Sequence, residues 1–216
     1  RSTSLTTLEL GRVKPFCWDM FCEALATNRS VSELKISALM DIEDTKYRME
    51  SFCNYVRSTQ HLSCLELEHS DWLYAREILA SVRHSPGLKT FKISFLYQDE
   101  DLQVEAATAL KRILQRGELI RLDWVESLVT NEELEELAKG LYRNTKTETL
   151  NLSTNHFNGP EAGRVLGNLI GRNRSLKALN LSGNRLEGSW RCFAQGLSRN
   201  NVLLNLDLSK TDTTDL

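Results

Sequence analysis

Five cysteines, four histidines and four tryptophans are the side chains best equipped to attack, ligate or anchor, so their spacing decides what chemistry is open to this chain. Cys17, Cys22, Cys53, Cys64 and Cys192 form no C-x-x-C pair and no regular framework, and their odd number leaves a thiol over. That usage suits a reducing compartment. His61, His69, His84 and His156 fall at junctions and turns, and His61 with Cys64 is the one close pair of ligand character. Four suitable ligands do not converge there, so no metal and no cofactor are expected. Phosphate-cradling G-x-x-x-x-G-K-[ST], dinucleotide-binding G-x-G-x-x-G, zinc-binding H-E-x-x-H and the G-x-S-x-G elbow do not occur in the sequence. No residue is therefore assigned a catalytic role, and the chain reads as a binding protein rather than an enzyme.

Composition sets further bounds. With 41% hydrophobic and 26% charged residues, 216 residues suffice for a sizeable core. The net charge of -2 offers no long-range attraction to phosphates or anionic lipid, so neither nucleic acid nor membrane is an expected partner. No apolar run approaches the length needed to span a bilayer, and no hydrophobic signal core opens the chain. N-x-S sequons occur at Asn28, Asn151, Asn173 and Asn180, but Asn151 and Asn180 fall within expected strands. Together these features point to the cytoplasm.

The elements that position these side chains come from a repeat. The pattern L-x-x-L-x-L, with substitutes, returns as Leu5-Leu8-Leu10, Val31-Leu34-Ile36, Leu62-Leu65-Leu67, Leu88-Phe91-Ile93, Leu119-Leu122-Trp124, Thr147-Leu150-Leu152, Leu176-Leu179-Leu181 and Leu203-Leu206-Leu208. Its alternation predicts short strands whose first, fourth and sixth positions face one core. Between them lie helical stripes: Trp72, Ala75, Ile78, Leu79 and Val82 in the third unit, and Leu102, Ala106, Ala109, Ile113 and Leu114 in the fourth. Leu5, Leu62, Leu119 and Leu176 are 57 residues apart, so units of alternating length form a double repeat.

Long units paired in this way resemble the ribonuclease-inhibitor-like class of leucine-rich repeats, shared by ribonuclease inhibitor, Ran GTPase-activating proteins and nucleotide-binding leucine-rich-repeat receptors. The segments L-N-L-S-T-N-H-F-N-G (Leu150 to Gly159) and L-N-L-S-G-N-R-L-E-G (Leu179 to Gly188) carry the likeness most clearly. In that family the residue matching Asn155 and Asn184 hydrogen-bonds the turn between repeats. Val13, Leu39, Ser70, Leu96 and Ser127 stand there in the first five units, so no single asparagine ladder is expected to run through them. The resemblance implies an α/β solenoid, a horseshoe of about eight β-α repeats with a parallel sheet on the concave face and helices on the convex face. One leucine-rich-repeat domain is expected over 1-216, an uncapped excerpt of a longer chain.

In that frame Trp124 fills a core slot, and Trp18, Trp72 and Trp190 at helix starts pack between the layers. Cys17, Cys22 and Cys53 lie in helical segments as core residues, while Cys64 points from the concave sheet. The fifth strand positions read Glu9, Lys35, Glu66, Lys92, Asp123, Asn151, Asn180 and Asp207. Signs alternate over the first five, giving a ladder that avoids like-charge stacking. The same residues make Lys35, Glu66, Glu68, Lys92, Arg121 and Asp123 a candidate partner-binding strip. A second candidate is an acidic rim of Asp41, Glu43, Asp44, Tyr97, Asp99, Glu100 and Asp101, repeated in register beside Glu68 and Asp71. These carboxylates suit helix starts as caps, and together they also form a landing surface for a basic protein.

The expected function is protein recognition, as a ligand-sensing or scaffold domain within a larger intracellular protein. The alternatives are a substrate-recruiting arm of a ubiquitin ligase and, from another class, a GTPase-activating protein of the Ran-activator type, for which no motif carries over.

Overall fold

In the computed structural model the described residues are 4–11, 18–37, 46–70, 75–95 and 100–211. Strands and helices alternate along the chain. They are β1 (Thr7–Leu10), α1 (Trp18–Thr27), β2 (Glu33–Ser37), α2 (Lys46–Ser58), β3 (Cys64–Ser70), α3 (Ala75–His84), β4 (Thr90–Phe95), α4 (Glu100–Arg116), β5 (Arg121–Trp124), α5 (Asn131–Leu141), β6 (Thr149–Asn151), α6 (Gly159–Arg172), β7 (Ala178–Asn180), α7 (Trp190–Leu197) and β8 (Asn205–Asp207). The strands form one sheet in sequence order, every pair parallel. This is an α/β leucine-rich-repeat solenoid. Strands stack at about 4.8 Å whereas packed helices need about 10 Å, so the sheet side is the concave one.

The fourth and sixth repeat positions bury the core: Leu34 and Ile36, Leu65 and Leu67, Phe91 and Ile93, Leu122 and Trp124, Leu150 and Leu152, Leu179 and Leu181 are all buried. Each such side chain contributes about 1.5–3 kcal/mol by leaving water. From the other layer, α3 buries Ala75, Ile78, Leu79 and Val82. Trp72, expected in that stripe, lies outside the described residues. The α4 stripe is rotated from its expected line. Ala106, Ala107, Leu110, Ile113 and Leu114 are buried, while Leu102 and Ala109 are only partly covered. Helices α6 and α7 approach closely along glycines, since a Cβ at Gly167 would stand 2.4 Å from the Cys192 carbonyl oxygen and one at Gly196 would stand 2.4 Å from that of Gly167.

Side-chain hydrogen bonds seal both ends of the strands. On the outgoing side, Asn155 Oδ1 accepts from the Ser127 and Val129 amides at 3.1 and 3.2 Å, and its Nδ2 donates to the Trp124 and Leu152 carbonyls at 2.8 and 3.1 Å. Asn184 repeats this one unit later, accepting from Phe157 N and donating to the Leu152 and Leu181 carbonyls. Where asparagine is missing, serine hydroxyls serve: Ser94 Oγ accepts from His69 N at 2.8 Å, and Ser127 Oγ accepts from Phe95 N and donates to Val125 O. Val13, Leu39 and Leu96 lie outside the described residues.

The incoming side has a second asparagine series that the sequence reading did not recognise. Asn144, Asn173 and Asn200 each donate to a carbonyl of the preceding repeat, those of Leu114, Leu141 and Ile170, and accept from two amides of their own turn. Asn28 accepts from Ser30 N and Val31 N in the same way. Asn28 and Asn173, noted first as sequons, therefore hold turns, and Asn173 is 2% exposed.

Candidate functional site

The candidate strip lies on the outward face of the sheet, where strand alternation places residues that the core does not claim. The backbone register aligns the fifth positions: Glu9 with Lys35, Lys35 with Glu66, Glu66 with Lys92, and Lys92 with Asp123. Lys35 Nζ sits 3.4 Å from Glu9 and 3.6 Å from Glu66, so it bridges its neighbours as the alternating ladder requires. The Glu66 charge and the Glu9 bond hold its pKa above the ordinary lysine value.

Two rungs differ from that expectation. Lys92 aligns with Glu66 and Asp123 yet donates to Glu68, two residues further along β3, because its flexible stem reaches diagonally across the sheet. Burial alone would lower the Lys92 pKa, but the Glu68 bond and the charges of Glu68, Glu66 and Asp123 raise it. The Lys92 bond correspondingly holds the Glu68 carboxyl below the usual range. At β5, Arg121 Nε and Nη2 both donate to Asp123, at 2.8 to 3.0 Å. The Asp123 side chain is 3% exposed against 50% for Arg121, so the guanidinium roofs a buried carboxylate. That is no exposed ladder rung. It is a charge satisfied within its own strand, with the cation presented outward.

The charged strip stops at β5. Asn151, Asn180 and Asp207 turn back to accept from the amides of Ser153, Ser182 and Ser209 at 3.1, 2.9 and 2.9 Å. Bonds from the Ser209 amide and then its side chain hold the Asp207 carboxyl below its ordinary value.

Of the acidic rim, Asp41, Glu43, Asp44, Tyr97 and Asp99 lie outside the described residues, as does Asp71. Glu100 opens α4, and Asp101 in its first turn is exposed.

The other chemically equipped side chains sort by position. Cys22 and Cys53 are buried, and burial first of all pushes their thiols up to about 12 and about 11. Cys64 stands on the sheet face with its Sγ 3.7 Å from Glu66, and burial followed by the Glu66 charge pushes it up to about 11. Such thiols hold their protons at neutral pH and are poor nucleophiles. Cys17 lies outside the described residues. Among the described residues, no three or more His, Cys, Asp or Glu side chains are grouped as a metal site. Trp124 is fully buried, and its indole N–H finds no acceptor among them. Trp190 departs from the expected packing between layers, being 42% exposed at the start of α7 with its ring tilted on Phe193 at 6.1 Å. A cavity of about 380 Å³ opens on the helix side, between α3 and α4, over Ala75, Leu79, Ala106 and Ala109. It is remote from the charged strip. No described helix is long and apolar enough to cross a membrane.

No protein-family model matches the chain, and no curated protein matches it in sequence. Among solved structures it is similar to the actin-binding site 2 of leiomodin-1, at 13% identity and a TM-score of 0.44 over 86% of this chain and 90% of that one. It is similar to an internalin (inlF) of Listeria monocytogenes, at 16% identity and a TM-score of 0.46 over 94% of this chain and 53% of that one. It is also similar to TLR13, solved as a TLR13-ssRNA13 complex, at 15% identity and a TM-score of 0.47 over 95% of this chain and 32% of that one. The chain thus spans about half the internalin's length and about a third of TLR13's. The leucine-rich-repeat class rests on this chain's own in-register parallel strands and repeated core.

Proposed function

We propose that this chain is a protein-recognition module that takes its partner on the sheet face across β2 to β5. The observation that carries the reading is the register of Lys35, Glu66, Glu68, Lys92, Arg121 and Asp123, all but Asp123 partly exposed and oriented by mutual ion pairs. Groups held in place before binding lose little freedom on binding, and a mixed pattern of signs rejects partners with the wrong pattern. Asp41, Glu43, Asp44, Tyr97, Asp99, Glu100 and Asp101 are proposed as a flanking rim for a basic partner.

Two finer assignments accompany this reading. The ribonuclease-inhibitor-like subclass is supported by an α-helix after each of the first seven strands, up to the 17 residues of α4, and by the Asn155 and Asn184 turn bonds. A cytoplasmic setting is supported by Cys22, Cys53, Cys64 and Cys192, all free thiols.

The test is site-specific photo-crosslinking from Thr90, on the sheet face of β4, compared with Arg112 on α4. The reading expects a protein adduct from position 90 that Lys92→Glu abolishes. Equal adducts from position 112, or indifference to Lys92→Glu, would refute it.

A further inference from the structure

The near-neutral total conceals a separation of charge across the solenoid. Each of the seven helix-to-strand junctions carries an exposed arginine. Arg57, Arg83, Arg116 and Arg172 occupy the last turns of α2, α3, α4 and α6. Arg29, Arg143 and Arg199 follow the ends of α1, α5 and α7, and all seven are exposed. Lys89, Lys146, Arg174 and Lys177 join them. Between the last helical turns and the strands, Glu118 and Glu148 are the only carboxylates in the sequence, bonded to Lys89 and Lys177 at 3.2 and 2.8 Å. The opposite edge, where helices begin, exposes Asp19, Asp101, Glu126, Glu132, Glu161 and Glu187, with Arg185, Arg191 and Lys210 among them. Helix dipoles account for a cation in a last turn. They do not account for Arg143 and Lys146, which lie past the end of α5, whereas Arg174 donates to the Gly171 carbonyl in the last turn of α6 and Lys177 pairs with Glu148.

This basic edge keeps one register along the chain. The second repeat positions are joined by one unbroken series of backbone bonds, in which Ser32 N donates to Thr6 O, Ser63 N to Ser32 O, Lys89 N to Ser63 O, and so on through Ile120, Glu148 and Lys177 to Leu204, all at 2.8 Å. Aliphatic side chains stand among the cations, with Leu5, Ile120 and Leu204 exposed by 43, 45 and 75%. Among the described residues the edge offers no free Trp, Tyr or Phe platform, since Tyr55 is buried and Arg172 covers the Tyr142 ring at 5.4 Å, and its exposed rings are those of His61 and His84. Single-stranded nucleic acid is gripped by grooves with stacking aromatics. An in-register row rich in arginine and interspersed with aliphatics suits a phosphate-bearing surface into which apolar side chains can dip.

We propose that the helix-to-strand edge docks this chain on an anionic phospholipid bilayer, with the acidic edge away from the surface. The inference is independent of the sheet-face reading and leaves that face open to a protein partner.

The experiment is cosedimentation of the 216-residue chain with phosphatidylcholine vesicles, with and without about one third phosphatidylserine. Binding is expected only with phosphatidylserine and should weaken with salt. Arg143→Glu, Lys146→Glu and Arg199→Glu together change three exposed side chains with no bonding partner among the described residues, and should lower partitioning by about a hundredfold, roughly fivefold per lost cation. Arg185→Glu, Arg191→Glu and Lys210→Glu, equal in charge change but outside this edge, should leave it within about twofold. Circular dichroism checks that both variants keep their helices. Equal losses in the two triples, binding to phosphatidylcholine alone, or displacement by a single-stranded RNA homopolymer at lower phosphate concentration than the vesicles would each overturn the proposal, the last in favour of nucleic acid.

Discussion

Removing the Asn155 side chain should cost far more than its size suggests. In Asn155→Ala the Ser127 and Val129 amides lose their acceptor, and the Trp124 and Leu152 carbonyls lose a donor, in a turn that is buried. Between those two amides sits Leu128 at φ 56°, a left-handed conformation that a leucine adopts only when its surroundings enforce it. Each orphaned buried amide costs about 1–3 kcal/mol, so two of them set the loss at about 2–6 kcal/mol before any relief of turn strain. Urea titration followed by circular dichroism measures the total. Hydrogen exchange at Ser127 and Val129 locates it, because repeats contact mainly their neighbours and the opening should concentrate at the junction of β5 and β6. Asn131→Ala, which removes an exposed bonding pair to Asn158, is the comparison and should cost less than about 1 kcal/mol. If Asn155→Ala loses no more than Asn131→Ala does, the turn asparagines are not what holds successive repeats together.

Other outcomes follow from the same geometry. Leu65→Ala, at a fully buried strand position, should lose about 2–5 kcal/mol in a denaturant titration, and a loss below about 1 kcal/mol would place Leu65 outside the core. Lys92→Glu should lower stability by no more than about 1 kcal/mol, because the pair with Glu68 is partly exposed, yet weaken a sheet-face partner much further, as calorimetry of both quantities would show. The Lys92 bond depresses the Glu68 pKa, so its contribution is present above the unfolded-state value and lost as pH falls through the folded one; Glu68→Gln should flatten that acid limb of the stability curve, and an unchanged limb would dismiss the pair. With thiols pushed up to about 12, 11 and 11, Cys22, Cys53 and Cys64 should react with a disulfide reagent at neutral pH far more slowly than in denaturant, and fast labelling of Cys22 in the folded chain would contradict its burial.

The spacing of leucines was enough to define the repeat and which strand residues meet across the sheet. Leu34, Leu65, Phe91 and Leu122 can be buried together only if their strands stack in register, and a slip by one residue would turn each to solvent. Asn155 and Asn184 were legible for the same reason, since each stands at a fixed distance from a leucine pair. The incoming-turn asparagines carried an equally regular signal, each three residues before its repeat's first core position, as in Asn144 with Thr147 and Asn173 with Leu176, but an N-x-S reading drew attention elsewhere. Three features were decided only by the tertiary structure. Lys92 chooses Glu68 over Glu66 and Asp123 because a long side chain can span the diagonal of a sheet, which linear position does not determine. Asp123 is buried because Arg121 folds over it, a matter of rotamer and neighbouring strands. The charge of the whole chain sums to -2 however its residues are arranged, whereas stacking the repeats places every helix end on one edge and every helix start on the other. Composition fixes the sum of charges, and only the fold fixes their positions, which determine the electrostatic field a partner encounters.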